Sequence, residues 1–179
     1  MASIATPLIV AFVLLGIGLL LHIIGFAVPQ WHDQEWMTSE RYLVRVTYGL
    51  WRYCYNSWHR RSMDPEVCTS IVDSQYDRGY TRATQFFETV GLIAAIASIV
   101  LLLLGVCVAT CRDRRILPIL SGICSIAAAG CILLGTVIFG ANDAEEDHLS
   151  WAFALCIVGG IFFGVAGVLI IVASVVLKR

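Results

Sequence analysis

The sequence predicts an α-helical membrane protein whose four spans run up and down through a bilayer. Three observations carry the prediction: a strongly apolar composition, four long runs without a charge, and connections short enough to force reversal of the chain. The 179 residues are 59% hydrophobic and 14% charged, with a mean hydropathy of +0.82, whereas soluble domains are about half apolar. Asp, Glu, Lys and Arg are missing from 8–28, 89–111, 116–141 and 151–177, runs of 21, 23, 26 and 27 residues. Each reaches the ~20 residues that cross a hydrocarbon core of about 30 Å. Connections at 112–115 and 142–150 make neighbouring helices antiparallel. One four-span membrane domain therefore covers 1–179, with outer loops at 29–88 and 142–150.

The first run has no basic leader and no small-residue cleavage site before Gln30-Trp31, so it reads as an uncleaved span. His22 lies inside it and is expected to hydrogen-bond a neighbouring helix rather than to gate anything. The 112–115 connection holds three Arg and one Asp, the last two residues are Lys178-Arg179, and 142–150 holds four acids and no base. The positive-inside rule then sets both termini in the cytosol and both long connections outside, whereas the 60-residue loop is too long for its own charges to decide orientation. Twelve basic against thirteen acidic residues give no field for nucleic acid. All five Trp and all six Tyr fall on the outer side or its border, and Trp31 and Trp151 are placed to act as headgroup-level anchors.

The first outer loop is expected to fold. Residues 41–55 (RYLVRVTYGLWRYCY) are dense in β-branched and aromatic side chains and broken at Gly49, a composition of paired strands. Asp64-Pro65 ends a polar tip, after which 67–72 (VCTSIV) returns as a strand. Of seven cysteines only Cys54 and Cys68 lie in this loop. In an oxidising compartment they pair with each other, closing a loop of about 15 residues worth roughly 3 kcal/mol, or else with another chain. Residues 80–88 (YTRATQFFE) read as a helical lead into the second span, with Arg82 and Glu88 at its outer mouth, solvated or bracing the loop.

Within the spans no acid or base offers a proton relay or substrate site. Cys124, Cys131 and Cys156 read as small packing residues. Cys107 and Cys111, beside Arg112, are candidate S-acylation sites, with packing the competing role. Ala152, Cys156, Gly160 and Gly164 form a small-residue ladder on the fourth span that suits close helix packing. No G-x-S-x-G, H-E-x-x-H, Walker A or G-x-G-x-x-G occurs, and the loop Cys and His lack metal spacing, so no catalytic residue, metal or cofactor is expected. No N-x-S/T occurs, so the exterior is expected to lack N-glycans.

Trp31 after the first span, then Gly49-Leu50-Trp51, then Cys54 and Cys68, then Arg82 ahead of the second span resemble the signature shared by the claudin, peripheral myelin protein and epithelial membrane protein superfamily. That resemblance implies a left-handed four-helix bundle carrying a small extracellular antiparallel sheet of about five strands, most of them from the first loop. Trp31 and Gly49-Leu50-Trp51 would anchor the sheet, the Cys54–Cys68 bond would staple two strands, and Arg82 would brace the loop's return. Claudins carry pore-lining charges near the second Cys. Here Thr69 follows it, so a charge filter would draw on Arg60, Arg61, Asp64 or Glu66.

The implied activity is a plasma-membrane protein of cell-cell junctions that forms a paracellular barrier or ion-selective pore. Its partners would be the lipid bilayer, further copies of the chain in cis and trans, and other claudin-like proteins. A Tyr-Val PDZ-binding end is not apparent at Lys178-Arg179, and the basic tail and short second loop look more like the epithelial membrane protein branch. The alternatives are therefore an organiser of membrane and adhesion complexes, or an auxiliary subunit of a channel.

Overall fold

The computed structural model describes residues 2–38, 43–59, 62–63, 65–72, 74, 77–107, 116–143 and 148–175. Four helices dominate: α1 (Ala2–Ala27), α2 (Gly79–Cys107), α3 (Ile116–Asp143) and α4 (Trp151–Val175). All four are long and apolar enough to cross a membrane, as multi-pass insertion requires. The chain is a multi-pass membrane protein. Helix α1 packs along α4, α4 along α3 and α3 along α2, while the direct seam between α1 and α2 is the thinnest of the four.

The period of burial sets how the helices meet. On α2 the buried positions are Thr81, Thr84, Glu88, Gly91, Ala95, Ser98, Leu102 and Gly105. On α1 they are Ala11, Leu15, Gly18, His22 and Gly25. Alternating steps of three and four give a seven-residue repeat, the pattern of left-handed helix packing. Large apolar side chains such as Ile9, Val13, Leu20, Ile93, Val137 and Val168 cover the opposite faces, where lipid is their solvent. Glycines let the backbones close. A Cβ at Gly167 would lie 2.8 Å from the Gly122 carbonyl oxygen of α3, and one at Gly159 would lie 3.0 Å from that of Gly18 on α1. The ladder on α4 is shared between two neighbours inside the chain: Cys156 meets Gly25 of α1, whereas Gly160 meets Ile132 and Leu133 of α3.

Between α1 and α2 the described residues form five strands: β1 (His32–Met37), β2 (Leu43–Tyr48), β3 (Arg52–His59), β4 (Ser62–Met63) and β5 (Val67–Ser70). Their order is β1-β2-β3, with β4 and β5 both antiparallel to β3. Register is continuous across the centre: Asp33 opposes Thr47, Thr47 opposes Cys54, and Cys54 opposes Cys68. The Gly49 break falls between β2 and β3, where it was expected. The second loop contributes an isolated bridge from Leu149 to His32.

The elements differ in detail from the apolar runs. The helical lead expected at 80–88 runs without a break into the second span as one helix, α2, which starts at Gly79; Glu88 interrupts a charge-free window but not the helix. Strand β1 (HDQEWM) had no sequence signal, since an edge strand of polar residues lacks the apolar alternation by which strands are recognised. Cross-strand pairing with β2 creates it. At the far end α3 extends to Asp143, two residues past the predicted 141.

Candidate functional site

The sheet stands on one end of the bundle, and an aromatic seat holds it there. Trp31 is completely buried, and its indole N–H donates to the Gly25 carbonyl at 2.6 Å. Phe139 and Phe153 meet its ring edge-on at centroid distances of 4.9 and 5.6 Å. Trp31 is therefore a core residue and not a headgroup anchor: the turn after α1 folds it inward, where the Gly25 oxygen satisfies its donor. Its backbone N–H donates to the Tyr48 carbonyl at 2.9 Å, and its own carbonyl accepts from Ser150 at 2.9 Å, so one residue joins α1, the sheet and the second loop. Trp151 is partly exposed and donates through its indole to the Gln30 side chain.

Gly49-Leu50-Trp51 makes the second contact. A Cβ at Gly49 would lie 2.6 Å from the Val28 oxygen and 2.7 Å from Pro29 Cα, so the turn approaches α1 as closely as only glycine permits. Leu50 is fully buried, and its carbonyl accepts from the Gln85 side chain of α2. Trp51 lies half-exposed, with its ring 5.2 Å from Phe26. Arg82 donates twice to the Asp77 carboxylate, at 2.7 and 2.6 Å, tying the last residues of the loop to the first turns of α2.

Residues opposed across strands share a face of the sheet. His32, Tyr48 and Tyr53 form one such row, and there Tyr48 packs on Phe139 while His32 stacks on Tyr48. Beyond the bundle the same face continues through Gln34, Val46, Tyr55 and Val67, then through Trp36 and Val44. Trp36, Tyr55 and Val67 are 41%, 46% and 42% exposed. The opposite face carries the Cys54–Cys68 disulfide, which joins directly paired residues of β3 and β5 with Cα atoms 4.0 Å apart. It also carries Asp33, Glu35 and Arg45. Arg45 donates to the Asp33 carboxylate and lies 3.4 Å from Glu35; the Asp33 hydrogen bond raises the guanidinium pKa above its ordinary value. Sequence reading missed this charge cluster because it exists only once β1 pairs with β2. An open depression of about 450 Å³ beside it is lined by Asp33, Glu35, His148, Leu149 and Ser150.

Of the four charges proposed near the second cysteine, Glu66 is exposed immediately before β5, whereas Arg60, Arg61 and Asp64 lie outside the described residues, as does Cys111. Cys107 is the last residue of α2. Glu88 is not solvated at the helix mouth: it is fully buried, facing His22 of α1. The family model described as PMP-22/EMP/MP20/Claudin family matches residues 8–170 of the chain. No curated protein matches the chain.

Proposed function

The chain belongs to the PMP-22/EMP/MP20/Claudin family, and on that premise we propose that it is a non-enzymatic, claudin-like protein of cell-cell junctions in the plasma membrane. In this reading both termini are cytosolic and the sheet is extracellular. Copies associate side by side in one membrane and face copies or claudin-like partners on the next cell, giving a paracellular barrier or ion-selective pore.

The observation that carries the reading is the apolar sheet face running outward past the bundle through Trp36, Tyr55 and Val67. Exposed apolar surface on a rigid, water-facing element marks a contact surface, and aromatic side chains supply the contact energy of such surfaces. The seat beneath it fixes its direction, so each contact repeats with the same geometry. Repetition is what polymerisation needs.

Expression of the tagged chain in cells without junction strands, followed by freeze-fracture electron microscopy of cell contacts, tests this. Continuous strands are expected, and Trp36→Ala with Tyr55→Ala should fragment them while leaving surface amounts unchanged. Uniformly dispersed surface protein would overturn the reading and favour an organiser of adhesion complexes or a channel subunit.

A further inference from the structure

Three helices each bring one ligand-bearing side chain to a single point inside the bundle. His22 of α1, Glu88 of α2 and Cys156 of α4 offer a ring nitrogen, a carboxylate oxygen and a thiol sulfur that lie within 4.8 Å of one another. All three side chains are completely buried. Nδ1 of His22 approaches Oε2 of Glu88 to 3.4 Å. Even so, both ring nitrogens and both carboxylate oxygens lack a hydrogen-bond partner among the described residues. A buried polar atom left unpaired costs about 1–3 kcal/mol, and native structures carry few. A partner seated between the two residues can serve a ring nitrogen and a carboxylate oxygen at once.

The chemistry of the donors selects that partner. Magnesium and calcium take oxygen ligands, whereas imidazole, carboxylate and thiolate together are the ligand types of zinc. A thiolate and a carboxylate supply two negative charges and imidazole none, so a divalent cation leaves the site neutral, the form a low-dielectric interior tolerates. Spacing agrees as well: bonds of about 2.0–2.1 Å at tetrahedral angles set nitrogen and oxygen ligands about 3.3–3.4 Å apart, the separation of Nδ1 and Oε2. Each ligand is also closed in by a glycine of a facing helix. A Cβ at Gly25 would lie 2.6 Å from Sγ of Cys156, one at Gly135 would lie 2.9 Å from Oε1 of Glu88, and one at Gly159 would lie 3.3 Å from Cβ of His22.

The geometry points to a zinc site held by His22, Glu88 and Cys156, with water in the fourth position. His22 and Cys156 each lie five residues inside the sheet-side ends of α1 and α4, about 8 Å along the helix axis. Loading takes Cys156 as thiolate and Glu88 as carboxylate, and the proton each gives up leaves to solvent. The ion joins α1 to α2 across the thinnest seam of the bundle. Sequence spacing does not reveal it, because the three ligands come from three separate helices.

Full-length protein purified in detergent, stripped with chelator and dialysed against Co²⁺ should take up about one equivalent and show thiolate-to-cobalt charge-transfer absorption in the near ultraviolet. X-ray absorption of the zinc-loaded protein should show one sulfur at about 2.3 Å with nitrogen and oxygen at about 2.0–2.2 Å. Cys156→Ser should abolish the charge-transfer band and Glu88→Gln should weaken metal binding roughly tenfold or more, whereas Cys124→Ser and Cys131→Ser should leave both unchanged. Uptake well below one equivalent by the wild-type chain, or a first shell without sulfur, overturns the site. Both of those measurements use the unaltered protein, so a variant that fails to fold does not blunt the test.

Discussion

At the scale of single residues, the seat of the sheet depends on two positions that tolerate no enlargement or loss. Gly49→Ala places a methyl group within 2.7 Å of both the Val28 oxygen and Pro29 Cα, and backbone cannot yield as a side-chain tip can. The expected cost is about 1–3 kcal/mol, read as a lower melting temperature in detergent and reduced surface delivery. An unchanged melting temperature would show that the turn can withdraw from α1. Trp31→Phe keeps the ring contacts with Phe139 and Phe153 but removes the bond to Gly25. Both residues stood out in the sequence through their setting, Trp31 after a span and Gly49 between strand-like runs. Their reasons did not. A Trp at a span border reads the same whether it faces headgroups or a protein core, and the inward turn is decided by Phe139 and Phe153, more than a hundred residues away. Glu88 was misplaced for the same reason, since a charge at the edge of an apolar run gives no sign of a buried histidine on another helix.

At the scale of elements, β3 is the hub of the sheet, and the disulfide holds its partner β5. The bond spans a separation of 14 residues, so Cys54→Ser or Cys68→Ser should cost roughly 3 kcal/mol and sharply reduce surface delivery. Normal surface levels and melting behaviour in both variants would show that β5 holds by strand pairing alone. The Asp33–Arg45–Glu35 cluster makes a contrasting prediction. Its side chains are partly exposed, and exposed ion pairs contribute about 0–1 kcal/mol. Arg45→Met should therefore barely move the melting temperature, and a fall as large as that of the cysteine variants would refute this ranking. Strands β2 and β3 were legible because β-branched and aromatic residues crowd both sides of Gly49. Strand β1 was not, because Gln34 and Glu35 are polar and acquire strand geometry only by pairing with Val46 and Arg45.

At the scale of the whole molecule, the bundle closes through glycines at helix crossings, while others face open space. Gly167→Leu should split α3 from α4, because even a Cβ there meets Ile126 Cγ1 at 2.7 Å and the Gly122 oxygen at 2.8 Å. Gly130→Ala meets nothing within 4 Å and should be neutral or stabilising by up to about 1 kcal/mol through helix propensity. Thermal unfolding of the two variants side by side checks the pair; equal losses would contradict the crossing geometry. The four spans were legible because lipid imposes length and apolarity on every crossing segment, whereas which helices touch depends on small side chains that hydropathy does not distinguish. Helix α2 is the longest of the four, by one residue over α3. Its 29 residues extend about 43 Å where a hydrocarbon core needs about 30 Å, and Arg82 and Gln85 sit on the surplus. Leu50 is fastened to that surplus length through Gln85, so the first two turns of α2 work as a mast that holds the sheet clear of the hydrocarbon.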